Sequence, residues 1–175
     1  MHKIKSLSTI AMIVLTPYLI FYPYEALEFQ ARMVLLEPGL WESHRWVTEG
    51  TQITWGIKAV YLVIWIIPTA FGVGAILAAF SIARLFRAGT IFDDIVARRI
   101  LLLGQCTTIS PLLAMGAGSI TPMVISWHNP DGAMALRFWY SAPNLSLVLC
   151  GLAFILMGAV LREGMTIARE NEAFI

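Results

Sequence analysis

The stretch RAGTIFDDIVARR, residues 87–99, sets two adjacent acids among three arginines between two long apolar runs. Paired carboxylates suit a metal ion, and arginines next to a glycine suit phosphate, but either use needs further acids or a Gly-rich cradle. The surrounding sequence supplies neither. A helical hairpin accounts for each charge instead. Gly89 suits the left-handed C-cap of a helix ending near Ala88, and Thr90 with Asp93 has the T-x-x-D spacing of a reciprocal N-cap. Asp93 and Asp94 then fall in a first helical turn, where the dipole favours acids, and Asp94 lies four residues from Arg98, within pairing reach. Phe92, Ile95, Val96 and Ile100 make the apolar face opposite.

Other chemistry-bearing residues are sparse. Glu37, Glu42 and His44 are of types that bind divalent ions, but their spacing fits no metal template and reads as a solvated loop. His128, beside an Asn-Pro turn, reads as an interfacial polar residue, and His2 is terminal. Cys106 and Cys150 lie in apolar runs without CxxC spacing and read as small buried residues. No catalytic set, metal site or cofactor is expected.

The elements that must carry these residues are long and apolar. Of 175 residues, 58% are hydrophobic and only 13% charged, with a mean hydropathy of +0.75, which is the composition of a membrane protein. Four segments, about 7–27, 57–87, 98–127 and 144–162, are each long enough to cross a hydrocarbon core near 30 Å thick. The expectation is one all-α domain over 1–175, a polytopic four-helix bundle. The N-terminal stretch starts basic and turns apolar like a signal peptide, but its apolar run is long and no A-x-A site follows, so it reads as a retained first helix.

Lys3, Lys5, Arg84, Arg87, Arg98, Arg99, Arg162 and Arg169 fall on one side of this topology, against Arg32, Arg45, Lys58 and Arg137 on the other. The positive excess predicts both termini in the cytoplasm. Trp41, Trp46, Trp55, Trp65, Trp127 and Trp139, with Tyr18, Tyr22, Tyr24 and Tyr140, read as one outer aromatic belt, and residues 28–56 as a partly helical segment lying in the headgroup layer. A net charge of +1 gives no field for nucleic acid, so direct nucleic-acid binding is not expected.

Ionisable residues at membrane depth, the usual mark of transport, are nearly lacking: Glu25 and Lys58 are placed near the outer boundary, where they could pair or snorkel, and Gln105, Thr107, Thr108 and Ser110 make a mildly polar stripe. Small residues are more suggestive. Ala70, Gly74 and Ala78 recur at four-residue spacing, as do Ala114 and Gly118, with Gly72 and Gly116 beside them. Such faces let helices approach closely, either inside this chain or against another membrane protein. Pro17, Pro68, Pro111 and Pro122 are expected to kink or end their helices.

Two stretches, RLFRAGTIFDDIVARRILLLGQ at 84–105 and LREGMTIARENEAFI at 161–175, together with four spans, resemble the small bacterial membrane proteins of domain-of-unknown-function family 2975. The residues carrying the resemblance are Phe86, Gly89, Phe92, Arg98, Arg99, Ile100 and Gly104, then Arg162, Glu163, Gly164, Glu170, Asn171 and Ile175. The resemblance implies a bacterial cytoplasmic membrane location and no established enzymatic activity. It also implies signalling by holding or releasing a small helix-turn-helix transcription regulator, since family members often occur beside one. Phe86, Gly89, Phe92, Asp94, Arg98, Arg99, Arg162, Glu163 and Glu170 would then form a cytoplasmic docking surface. The leading expectation is a non-catalytic interaction protein, an accessory subunit among membrane lipids and larger membrane subunits. The regulator-binding protein is the first alternative, and a small transporter or a binder of lipid or another hydrophobic ligand the second.

Overall fold

The glycine at position 89 ends one long apolar run and the Asn-Pro and Asp-Gly pairs at 129–132 end another, so the chain is divided where its backbone chemistry demands turns. The computed structural model describes residues 2–36, 45–132 and 134–172. Helix α1 spans His2–Ala31 and passes into a π-helical turn, Arg32–Leu36. Helices α2, α3 and α4 span Trp55–Ala88, Asp94–Ile125 and Ala142–Glu172. Among the described residues there is no strand, and all four helices are long and apolar enough to cross a membrane.

Each helix begins before its apolar segment, and all but α3, which stops at Ile125, also run past its end. The largest excess is in α4, which continues to Glu172 because the residues after Leu161 (Arg, Glu, Met and Ala among them) favour helix although they are polar. The helices also run on through Pro17, Pro23, Pro68 and Pro111, while Pro122 stands in the last turn of α3.

Neighbours in the chain are antiparallel neighbours in space. Helix α1 packs on α2, α2 on α3 and α3 on α4, while every other helix pair among the described residues makes only marginal contact. The arrangement is an open row rather than a ring of four. One consequence is that, among the described residues, no core shared by all four helices runs down the middle. The main apolar cluster lies at one end, where Val34, Tyr61 and Ile125 are buried beneath Trp46, Val47, Ile53, Leu62 and Trp65. This end, with the 45–54 and 126–141 connections, is the loop end; the other, with the 89–93 turn, is the turn end.

Between α3 and α4 the contact is made by backbone. A Cβ on Gly104 would lie 2.6 Å from the Ile155 amide nitrogen and 2.7 Å from the Gly151 carbonyl oxygen. One on Gly158 would meet Leu101 and the Ala97 carbonyl oxygen. Glycine at these three positions lets the two helices touch.

Candidate functional site

At the turn end, Gly89 takes φ 92°, its N–H donating to the Phe86 carbonyl at 3.1 Å while the Thr90 N–H donates to the Leu85 carbonyl at 3.0 Å. These two bonds form a Schellman cap. They engage Thr90 in closing α2, so it does not start α3 as the T-x-x-D spacing suggests. The N-cap is Asp93, whose carboxylate accepts the Ile95 N–H at 2.9 Å. Asp94 pairs with Arg98 at 2.9 Å. Both acids thus have structural partners. The expected apolar face is only half realised: Val96 and Ile100 are buried, but Ile95 is exposed and Phe92 is 81% exposed.

The residues proposed as one cytoplasmic docking surface separate into groups. Phe86 is half-buried and lines a cleft between α1 and α2 with Leu7 and Ala11. Arg99 shares a different cleft with Arg84, while Arg98 is held by Asp94. Arg162, Glu163 and Glu170 are exposed on α4. Since Gly158 lies opposite the Ala97–Leu101 turn, Asp94 is level with about Glu163, and the rest of α4 projects past the start of α3 by about 13 Å at the helical rise. The end of the α4 tail, with Arg169 and Glu170, therefore stands beyond the 84–99 region, whereas Arg162 and Glu163 are level with the start of α3.

The small-residue positions divide as well. Ala78 is buried, and a Cβ on Gly74 would sit 3.2 Å from Cys106 Sγ, so Gly74 is used in packing α2 on α3. Gly118 is covered by the Trp139 ring, which a Cβ at this position would meet at 2.5 Å, and Ala114 is half-buried. Ala70 is exposed. Sequence spacing did not single out Gly151 and Gly158, whose seven-residue separation on one face was the available signal.

The loop end is tied by side chains. The Asn129 amide donates to the Trp46 carbonyl at 3.1 Å, and its Oδ1 accepts the Thr51 hydroxyl at 2.8 Å. Trp65 Nε1 donates to Thr121 Oγ1 at 3.2 Å. The extended strap 134–141 runs back along α3: the Ala135 and Trp139 N–H groups donate to the hydroxyls of Ser126 and Ser119, each at 2.9 Å, while Leu136, Phe138 and Tyr140 stand outward. Trp46, Trp65 and Trp139 are thus packing residues, and Trp55, Trp127 and Tyr140 remain exposed. Trp41, Glu37, Glu42, His44 and Ile175 lie outside the described residues.

Two further expectations change. The tyrosines of α1 do not all join an end belt, because the Tyr22 ring packs on Gly72 near the middle of α2. The same register sets Glu25 about 16 Å from Lys58 along the axis, and Lys58 lies over the Trp55 ring, 5.0 Å from its centroid. The polar residues of α3 diverge too: Thr108 packs on Gly151 of α4, Ser110 donates to the Pro68 carbonyl of α2 at 2.9 Å, and Gln105 is exposed. Among the described residues no three His, Cys, Asp or Glu side chains come together as a metal-binding group. No family model, curated protein or solved structure matches the chain.

Proposed function

We propose that this protein is a non-catalytic integral membrane protein of the bacterial cytoplasmic membrane, with both termini cytoplasmic, and that it serves as an accessory subunit docking laterally on a larger membrane assembly. The observation that carries this reading is the open row. Among the described residues α1 and α4 each pack closely on a single neighbouring helix, so both edges of the row present unpaired helix faces. On α4 the free face includes Ser146, Cys150 and Ala153, all exposed and spaced by a helical turn or two, which permits close approach of a further helix. The basic residues at the turn end support the orientation.

Gentle extraction from the native membrane followed by native mass spectrometry tests it. Larger membrane subunits in fixed ratio are expected, and Ala153→Trp should release them while leaving the α3–α4 contact intact. Isolation as a lone protein would overturn the reading.

A second reading is favoured by the α4 tail. A membrane signalling protein of domain-of-unknown-function family 2975 would hold its regulator there, where Arg162, Glu163, Arg169 and Glu170 project with no ion pair among the described residues. Capture of a small soluble regulator, abolished by Arg162→Glu with Arg169→Glu, would select this reading over the first.

A further inference from the structure

Arg84 of α2 and Arg99 of α3 line one cleft of about 260 Å³, together with Ser81, Leu85 and Ile95. Neither arginine has an ion pair among the described residues. Neither nearby acid pairs with them: the Asp93 carboxylate caps the Ile95 N–H and Asp94 pairs with Arg98. Two guanidinium groups from two helices therefore face one space, at the level where the long apolar stretches of α2, α3 and α4 give way to charge.

The cleft continues into apolar surface. Leu77 lies one turn from Ser81 on the same face of α2, and Leu102 lies three residues from Arg99 on α3; both are exposed. The site is thus cationic at its mouth and apolar along the helices below. We infer that it binds the headgroup phosphate of an anionic phospholipid, with Arg84 and Arg99 donating to the non-bridging oxygens and one acyl chain lying over Leu77 and Leu102. Guanidinium forks match phosphate oxygens in pairs, and basic clefts between helices at the membrane boundary select anionic headgroups. The inference rests on the proposed membrane embedding but not on either partner.

Reconstitution into nanodiscs of phosphatidylcholine with a minor fraction of phosphatidylglycerol, then native mass spectrometry of the lipids that stay bound, tests it. Enrichment of phosphatidylglycerol is expected. Arg84→Gln and Arg99→Gln should each reduce that enrichment about five-fold, the effect of one basic residue at an anionic surface. Arg162→Gln, on α4, should leave it unchanged, and inorganic phosphate should not displace the lipid. Equal loss with Arg162→Gln would mean diffuse surface charge, and displacement by phosphate would mean a free-anion site; either overturns the inference. Failure to insert into the discs would overturn the embedding, whereas insertion without enrichment would remove the lipid site alone.

Discussion

The two ends of the row close in opposite ways. At the loop end, side chains join residues far apart in sequence: Asn129 reaches Thr51 and the Trp46 carbonyl, and Tyr61, Val34 and Ile125 bury one another. At the turn end, α2 and α3 are joined by backbone bonds around Gly89 and the Asp93 cap, all within a short stretch of chain. Local closure satisfies the backbone without using the long side chains. Arg84, Arg99 and Phe92 are left exposed there, while the loop end engages Asn129, Thr51, Trp46 and Trp65 with one another or with α3 and turns Trp55, Trp127, Phe138 and Tyr140 outward. Side-chain hydrogen bonds between distant parts of the chain gather at the loop end, and short-range caps at the turn end.

Substitutions can break that contrast or sharpen it. The largest effect is expected at neither end but between α3 and α4, where Gly104→Ala drives a methyl into backbone and should cost about 2–3 kcal/mol in detergent unfolding. Asn129→Ala should cost about 1–3 kcal/mol and red-shift the tryptophan emission, because the Trp46 carbonyl and the Thr51 hydroxyl lose their shared partner. At the turn end Asp93→Ala should cost about 1 kcal/mol, as loss of a cap does, and Asp94→Ala only about 0.5 kcal/mol, since its partner Arg98 is largely exposed. A larger loss from Asp93→Ala than from Asn129→Ala would break the contrast.

Helix number, the Gly89 cap and the Asp94–Arg98 pair were legible in sequence because each depends on spacing within one or two turns. The start of α3 was misread by three residues, since a second, competing use of Thr90 in the Schellman cap is invisible to an N-cap pattern. Depth was harder still. Tyr22 and Glu25 look terminal when α1 is counted alone, and only the packing of Tyr22 on Gly72 shows how far along α2 they lie. The separation of Arg98 from Arg99 follows the same logic: adjacent residues point about 100° apart on a helix, so one meets Asp94 and the other the cleft with Arg84.

The strap at 134–141 carries a consequence for the lipid itself. Because it runs back along α3 as far as Ser119, α4 begins there, and α3 continues about 9 Å beyond that level to Ile125. The apolar run of α4 from Ala142 to Leu161 matches a hydrocarbon thickness of about 30 Å, whereas α2 is apolar over a greater height. Embedded in a bilayer, the molecule has unequal rims, and lipid around it must thin toward the α4 edge. Mismatch costs fractions of a kcal/mol per Å, so a short-spanning neighbour would be drawn to that edge by the bilayer before any side chain touched it.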